Sequence, residues 1–478
     1  MTETTTRIRG GTIHTSSGEL NADLLISGEK VAALLDPANP VSADREIDAQ
    51  GKWVLPGLID LHAHTRSPGY EQKEDFLTAS RAAAAGGYTT FVDMPNVEPP
   101  TVTVELFEEK RAVANELCIV DWGHFVGPTQ LEEIPKLAKA GATGFKFFQV
   151  TGGYPHDPRL AIADPARLLE TFEAIAETGL LCVVHPFAQT LFESLYHREV
   201  AKGRPGDIFT FSDVYTRDIV WRLAVAILLE VQRETGMRMQ VVHTHAPGSL
   251  RLLAQAKADG VPVTVATDPK YFHLREEDIR SQGARAIPGG AVTTNPDRMA
   301  AIWEGLDSGV IDIIDSDHAP HLLEDLTLME EDPLIGPFGS PHYEHLLSLM
   351  LSDVQAGNLR LNRLVHALTE APARILGLYP RKGALQPGSD ADVVIVDPDL
   401  AYQPLDGQME CKSNWTPYHG RDFVGKPILT MLRGKVIFSD GEITAEPGYG
   451  RYIAGVPQEP APGRPSDMHP GLHLRPRS

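Results

Sequence analysis

The sequence predicts an α/β protein: a (β/α)8 barrel of the TIM type, joined to a small β-sandwich that both chain ends build. Two observations lead to this prediction. Between residues 56 and 381, short apolar segments alternate with helical stretches rich in Ala, Leu and Glu, and a repeated strand–helix order favours parallel pairing. At both ends of the chain, the sequence instead contains short β segments separated by turns, without helical stretches between them.

The β-sandwich is predicted from residues 1–55, where RIRGGTIHT, ADLLISGEKVAALL and REIDAQGKWVLP are separated by polar turns. The same texture returns over residues 382–447, for example in GALQPGSDADVVIVDPD. We expect these two segments to complete one sandwich beside a barrel that spans residues 56–381. Residues 448–478 end in a proline-rich stretch without periodicity, so we expect a disordered tail or an arm on a neighbouring subunit.

The barrel segment contains eight candidate strands, the number that closes a (β/α) barrel. They are 58–64 (LIDLHAH), 89–94 (TTFVDM), 118–124, 144–149 (GFKFFQ), 180–185 (LLCVVH), 239–244 (MQVVHT), 261–267 (VPVTVAT) and 311–317 (IDIIDSD). Stretches such as KEDFLTASRAAAAGG and DPARLLETFEAIAETG lie between them and predict the outer helices.

Composition narrows the class of protein. The chain has 478 residues and a formal net charge of −21, with 42% hydrophobic and 22% charged residues. This acidity disfavours a nucleic-acid partner, which needs a clustered basic face. Because there is no secretory signal and no apolar stretch of about 18 residues, we expect a cytoplasmic protein without a membrane partner. Cys118, Cys182 and Cys411 form no CxxC pair and are predicted to be buried hydrophobes.

Four histidines lie at the carboxyl ends of three predicted strands, on the rim that carries catalytic groups in a barrel. His62 and His64 share one face of the first strand because side chains alternate with period two. His185 ends the fifth strand, and His243 lies at the end of the sixth. Each alone is more typical of a core histidine, but four at one rim indicate a metal site.

Two further residues on these strands carry possible chemistry. Lys146 lies between aromatic residues in GFKFF, where burial should lower its pKa unless its stem reaches the rim. A neutral lysine beside histidines could react with carbon dioxide to give a carbamate that bridges two metals. Asp317 is favoured as the general base over Asp315 and Asp312, because it lies last in its strand and leads into HAPH.

The motifs PGLIDLHAHTRSPG, DMPNVEPPT, GFKFF, VVH, VVHTH and IDSDHAPH resemble those of the amidohydrolase superfamily, in its dihydroorotase, hydantoinase and allantoinase branch. The resemblance covers nearly the whole chain, since GSDADVVIVDPD and CKSNWTPYHGRDFVGKP are similar to the closing segment of that branch. It implies a dihydroorotase-like hydrolase that opens the C–N amide bond of a cyclic amide, ureide or imide. Hydantoinase or allantoinase activity is the alternative.

The resemblance also implies a cofactor of two divalent metal ions per subunit, most often zinc. His62, His64 and Asp317 would bind the more buried ion, His185 and His243 would bind the more exposed one, and an N6-carboxylated Lys146 would bridge them. In that family arrangement a hydroxide shared by the ions attacks the ring, and Asp317 serves as general base and acid.

Substrate contacts are implied at four positions. Arg66, Asn96 and His321 match the places where dihydroorotases bind the carboxylate and ring of their substrate. A guanidinium can bind both oxygens of a carboxylate, so Arg66 favours an anionic ring, although an ordinary ion pair is the alternative. Lys270 stands where relatives commonly carry a histidine after the proline, and we expect it to contact substrate.

Two other interpretations stay open at this point. A mononuclear aminohydrolase of the same superfamily would deaminate a heterocycle, but it would not usually need a bridging lysine in the fourth strand. A non-catalytic scaffold would have lost ligands that this chain retains. Since relatives are commonly dimers or tetramers, we expect a homodimer or homotetramer that binds a small cyclic substrate.

Overall fold

The computed structural model describes residues 4–150, 157–287 and 296–458. The β-strands among these residues are β1 (Thr5–Arg9), β2 (Thr12–Thr15), β3 (Gly18–Asn21), β4 (Asp23–Ser27), β5 (Lys30–Leu35), β6 (Arg45–Asp48), β7 (Trp53–Pro56), β8 (Leu58–Ala63), β9 (Tyr88–Asp93), β10 (Asp121–Val126), β11 (Gly144–Phe148), β12 (Cys182–His185), β13 (Met239–Val241), β14 (Val263–Thr267), β15 (Ile313–Ile314), β16 (Val393–Tyr402), β17 (Phe423–Leu432), β18 (Lys435–Ser439) and β19 (Glu442–Ile443).

The α-helices are α1 (Phe76–Ala85), α2 (Val104–Leu117), α3 (Ile134–Ala140), α4 (Pro165–Ala176), α5 (Gln189–Ala201), α6 (Ile208–Tyr215), α7 (Asp218–Thr235), α8 (Pro247–Ala258), α9 (Lys270–His273), α10 (Glu276–Gln282), α11 (Pro296–Ser308), α12 (Leu323–Glu331), α13 (Tyr343–Gln355), α14 (Leu361–Val365) and α15 (Ala371–Ile375). Aspartates start several of them. The side chains of Asp75, Asp164 and Asp207 each accept a hydrogen bond from the backbone amide three residues later, which satisfies a donor that the helix itself leaves unpaired.

Strands β8 to β15 form one sheet in chain order, and each neighbouring pair is parallel. The two edges of this sheet meet: Ala63 forms a parallel bridge with His318, and the His64 amide donates to the His318 carbonyl at 2.8 Å. Every residue of β8 to β12 is buried, as is typical of strands covered on both faces. The predicted barrel is confirmed.

All eight barrel strands differ from the predicted bounds by at least one residue, and the third and eighth strands differ by two or three residues at both ends. The third strand, predicted over 118–124, begins three residues later, because Cys118 caps helix α2 and the apolar Ile119 lies buried in the connection. The eighth strand, predicted over 311–317, is reduced to β15. Its chain then leaves extended geometry, and Asp317 adopts a φ of +45°.

Both chain ends build the second unit, as predicted. One sheet has the order β5-β4-β1-β6, and the other has the order β19-β18-β17-β16-β7-β2-β3, so four C-terminal strands lie beside three N-terminal strands within the second sheet. Where they join, β7 pairs with β16 in antiparallel register. A shared apolar core includes Ile8 and Leu24 from the N-terminal strands and Val393 and Met431 from the C-terminal strands.

The last described residues lie against the barrel. The amide of Ile453 donates to the Trp122 carbonyl at 2.7 Å, and the amide of Gln458 donates to the Gly179 carbonyl at 3.0 Å. The remainder of the predicted tail, residues 459–478, lies outside the described residues. The division of the chain into 1–55, 56–381, 382–447 and 448–478 stays a prediction.

Two predictions from composition can be compared with the structure. Cys118, Cys182 and Cys411 are free and buried, as expected. Among the residues that the structure describes, none of the helices combines the length and the apolar character that a membrane-spanning segment needs.

Candidate metal centre and substrate cavity

A cavity of about 400 Å³ opens at the carboxyl ends of the barrel strands. Its lining combines titratable side chains with aromatic and small residues: His62, His64, Arg66, Asn96, Phe148, His185, His243, Asp317, Ala319, Phe338 and Gly339. Seven of the ten residues that the sequence singled out are therefore brought together by five different strands or the loops that follow them.

The densest part of the cluster is formed by histidines around Asp317. Asp317 Oδ1 lies 3.5 Å from His62 Nε2 and 3.4 Å from His64 Nε2. His62, His243 and Asp317 each offer one ligand atom, and these three atoms lie within 4.8 Å of one another. Such a spacing allows one cation to contact all three.

His243 is held from behind by an acidic residue that sequence analysis missed. Asp268, one residue beyond β14, lies 2.7 Å from His243 Nδ1. A carboxylate on one ring nitrogen orients the imidazole and leaves its other nitrogen for a metal. Asp268 follows a predicted strand directly, so the strand-end rule that identified the histidines could have found it.

Lys270 bridges the two carboxylates of this region. Its ammonium pairs with Asp317 Oδ2 and lies 3.1 Å from Asp268 Oδ2. The side chain is 1% exposed and is not among the residues that line the cavity. Its contacts place it beside the proposed general base rather than in the cavity wall.

His185 occupies the other side of His243, with ring centroids 4.8 Å apart. It ends β12, as predicted, and packs against Phe148 at 5.7 Å and Trp221 at 5.5 Å between centroids. Phe148 and Phe338, which sequence analysis did not single out, give the cavity an apolar wall. Nothing in the local pattern separates these two aromatic residues from the many in the core.

Lys146 lies fully buried in β11, with its backbone paired to Val183 of β12. Its ammonium is 4.7 Å from the centroid of Phe148 and has no hydrogen-bond partner within the described part of the chain. Burial lowers the pKa of Lys146 to about 7, although the charges of Asp317 and Asp315 oppose the shift. A lysine in this state is partly neutral at physiological pH and can act as a nucleophile.

The environment also sets the charge of the predicted ligands. Burial lowers the pKa of His64 to about 4, with Asp317 opposing, and burial together with Lys146 lowers the pKa of His62 well below its usual value. Burial would raise the pKa of Asp317, but Lys270 and the neighbouring imidazoles outweigh it and hold that pKa well below the usual range. Neutral imidazoles beside an ionised carboxylate are the forms that bind cations.

Three of the cavity residues have left-handed backbone geometry: Arg66 with φ +62°, His243 with φ +57° and Asp317 with φ +45°. This region is unfavourable for residues with a Cβ and needs support from the surrounding structure. In each case the residue directly or closely follows a barrel strand, where the chain turns away from the sheet. The backbone thereby directs these side chains towards the cavity.

The four predicted substrate contacts fall into two groups. Arg66 and Asn96 line the cavity. His321 lies behind Arg66, with 3.1 Å between its Nε2 and Arg66 Nη2, and Arg66 Nε donates to the Pro320 carbonyl. His321 thus contacts the arginine, as Lys270 contacts the aspartate.

The donors present fit divalent metal ions. Both ring nitrogens of His62 and the ammonium of Lys146 are buried, and no described residue forms a hydrogen bond with them. Such groups are costly unless a ligand satisfies them. Imidazole and carboxylate are donors that zinc and related ions prefer. The residues therefore suit a divalent cation.

Comparisons with known proteins agree with this geometry. Residues 53–437 match the model of the Amidohydrolase family. The chain is 34% identical over 446 residues to the L-hydantoinase of Paenarthrobacter aurescens, covering 92% of this chain and 95% of that protein. It is 31% identical over 442 residues to the dihydroorotase of Pelotomaculum thermopropionicum, covering 91% and 98%. The solved L-hydantoinase (dihydropyrimidinase) from Arthrobacter aurescens superposes with a TM-score of 0.89 at 33% identity, covering 95% of this chain and 100% of that chain. The chain belongs to the amidohydrolase family.

Proposed function

We propose that this protein hydrolyses the C–N amide bond of a cyclic amide, ureide or imide. The observation that carries the proposal is Lys146, a buried lysine with an unpartnered ammonium that shares the barrel interior with His62, His243 and Asp317. Similarity to proteins named L-hydantoinase, allantoinase and dihydroorotase supports it.

Six side chains would hold two divalent ions, with zinc as the proposed metal: His62, His64 and Asp317 on one, His185 and His243 on the other, and Lys146 between them. When bound, such a pair of ions lowers the pKa of a water molecule and polarises the carbonyl of the substrate. The support for this assignment is the low proton affinity of His62 and His64 and the short distances between the donors.

Lys146 would act in the carboxylated form. Its neutral amine forms an N–C bond with carbon dioxide, and the proton that the nitrogen loses passes to solvent, which leaves a carbamate anion with two oxygen donors. The lowered pKa supplies the neutral amine near pH 7. Burial then protects the carbamate from the acid that would reverse its formation.

Asp317 would move the proton. Its carboxylate is ionised and lies beside His62 and His64, so it can accept a proton from the attacking water. As the ring C–N bond breaks, Asp317 would return this proton to the leaving nitrogen. The ring carbon would become a carboxylic acid, which loses the second proton of the water to solvent and ends as a carboxylate. Lys270 keeps Asp317 ionised and fixes its orientation.

Arg66 and Asn96 would bind the ring from the cavity wall, with Arg66 favouring a substrate that carries a carboxylate, as in dihydroorotate. His321 and Lys270 remain proposed as substrate-binding residues. Because His321 lies behind Arg66 and Lys270 lies behind Asp317, each would act on the substrate through that neighbour. Hydantoin is the second candidate substrate, favoured by the similarity to the L-hydantoinases and by the apolar wall of Phe148 and Phe338.

The other interpretations are less well supported. A deaminase is not favoured, since the named relatives open rings and Lys146 has no role in such a site. A non-catalytic scaffold protein would not account for the presence of all six predicted metal ligands in this chain. We further propose that the protein forms a homodimer or homotetramer, and sedimentation analysis would measure its oligomeric state.

A substrate panel tests the function. Protein supplied with zinc and bicarbonate is assayed with dihydroorotate, hydantoin, allantoin and succinimide, following ring opening and ammonia release separately. Ring opening that is lost in Lys146→Ala supports the proposal, whereas ammonia release without ring opening supports a deaminase. Arg66→Ala should impair dihydroorotate far more than hydantoin. Equal losses on both substrates would make Arg66 structural, and inactivity with every ring would contradict the proposed function.

A further inference from the structure

A buried ion pair lies where β8 and β9 end, and neither of its partners is a proposed metal ligand. It joins Asp93, the last residue of β9, to Lys110 of α2, with 2.6 Å between Nζ and Oδ2 and at most 1% of either side chain exposed. His124 Nδ1 lies 3.2 Å from the same carboxylate oxygen. Desolvation offsets most of the attraction in such a pair, so stability alone is a weak reason for its presence.

Each partner of the pair also holds the backbone of a loop. Asp93 Oδ1 accepts a hydrogen bond from the Thr65 amide at 2.8 Å, and Lys110 Nζ donates to the Met94 carbonyl at 3.1 Å. Thr65 precedes Arg66 in the loop after β8, and Met94 lies two residues before Asn96 in the loop after β9. One buried ion pair thus ties together the two loops that carry the cavity-lining arginine and asparagine.

Arg66 needs such support more than most residues. Its φ of +62° is unfavourable for a residue with a Cβ. On the far side its guanidinium is held by the Pro320 carbonyl and by His321. These contacts fix the end of the side chain, whereas the bond from Asp93 to Thr65 fixes the backbone from which it starts.

We propose that Lys110 is a positioning residue for substrate recognition: through Asp93 and Met94 it sets the spacing between Arg66 and Asn96 at the cavity wall. This inference rests on the proposed function, since these two residues are its proposed substrate contacts. Lys110 itself lies beneath the two loops and contacts no substrate. Its removal should therefore weaken binding of the ring and leave the metal centre intact.

The test uses the full chain and the double variant Asp93→Asn/Lys110→Met, which removes both charges together so that neither remains buried alone. Lys136→Met, on the exposed surface of α3, is the matched control. We expect the double variant to retain its metal content and a kcat within about threefold of the unaltered protein, while KM rises by about tenfold or more, because small misplacements of binding groups are costly. Lys136→Met should change neither constant.

A cycle with Arg66→Ala separates positioning from general structural damage. If Lys110 acts through Arg66, adding Arg66→Ala to the double variant should raise KM little further. The increase in KM of the combined variant should then be much smaller than the product of the two separate increases. An unchanged KM in the double variant, or losses that multiply fully, would overturn the proposal.

The outcome is distinguishable from failure of the proposed function. If the unaltered protein opens none of the rings in the panel, the proposed function fails. Crystal structures of the unaltered protein and the double variant then still test the positioning directly: Arg66 and Asn96 should move apart or together by about 1 Å or more, the scale at which misplacement matters. Superimposable loops would overturn it.

Discussion

The two ends of the barrel contain buried lysines that differ in their hydrogen-bond partners. At the amino end, Asp121 begins β10 and meets Lys382 at 2.7 Å, and Lys382 also lies 2.6 Å from Asp392. Arg433 completes this network, with one bond to Asp121 and one from its amide to Asp392. Towards the carboxyl end, the ammonium of Lys146 has no hydrogen-bond partner among the residues that the structure describes.

The difference separates structure from chemistry. Lys382 and Arg433 come from the C-terminal segment, so their pairing with Asp121 fastens the β-sandwich to the base of the barrel. Lys146 and His62 instead have buried polar atoms for which residues 4–150, 157–287 and 296–458 provide no hydrogen-bond partner. In barrels of this type, the amino end serves stability and the carboxyl end serves catalysis. Here the carboxyl end also contains buried ion pairs, such as those of Lys270, but Lys146 and His62 belong to the proposed metal site.

Replacing Lys146 should have the largest effect on activity. We expect Lys146→Met to lower kcat/KM by about a thousandfold or more, corresponding to about 4 kcal/mol of transition-state stabilisation. The metal-free variant should be at least as stable as the unaltered protein, since the substitution removes an unpartnered buried ammonium. Steady-state kinetics, metal analysis and urea unfolding measure the three quantities.

Lys382→Met is the matched change at the opposite end. Losing the cation shared by Asp121 and Asp392 should lower the free energy of unfolding by about 3 to 5 kcal/mol. Activity per folded molecule should stay near that of the unaltered protein, because the network lies at the other end of the strands. If Lys146→Met destabilised the chain and Lys382→Met mainly removed activity, the division between the two ends would be wrong.

Much of this division was visible in the sequence. Alternation of side chains placed His62 and His64 on one face, and the strand-end rule placed His185 and His243 at the same rim. These arguments worked because apolar parallel strands are distinct and their carboxyl ends converge. Lys146 lies on the fourth strand as predicted, whereas Asp317 lies three residues beyond the shortened eighth strand.

Other features depend on contacts between distant residues and could not be predicted. The start of the third strand was misplaced, because Ile119 is as apolar as a strand residue but lies in a connection. The left-handed geometry of Arg66 and Asp317 has no signature such as glycine. The indirect placement of His321 and Lys270 follows from their partners, which local sequence does not reveal.

Asp268→Asn tests whether the proposed metal ligand His243 depends on the carboxylate that contacts its Nδ1 atom. The substitution keeps the size of the side chain but weakens its bond to His243 Nδ1 and its attraction for Lys270. We expect metal affinity or kcat to fall by about ten- to a hundredfold, the usual effect of losing a residue that orients a ligand. Asp259→Asn, at an exposed position near the end of α8, is the control. Unaltered metal binding and kinetics would show that His243 needs no such support.

The smallest expected effect concerns a partly exposed carboxyl that belongs to neither end. Glu344 of α13 accepts hydrogen bonds from the amides of Glu410 at 2.9 Å and Cys411 at 3.2 Å. Burial raises its pKa to about 7 from the ordinary value of 4.5, although the two amides oppose this. The folded protein thus holds this proton more tightly, and the stability that it contributes is complete below pH 4.5 and lost as the pH rises through about 7.

Glu344→Gln removes this titration and keeps an oxygen for the two amides. Relative to the unaltered protein, the variant should gain of the order of 1 kcal/mol between pH 5 and pH 8, since a one-unit pKa shift corresponds to about 1.4 kcal/mol and partial exposure reduces the effect. Urea unfolding at several pH values measures the difference. If the pH profiles of the two proteins were parallel, the pKa of Glu344 would not differ between the folded and unfolded states. The two backbone amides would then stabilise the Glu344 carboxylate as fully as Lys382 stabilises that of Asp121.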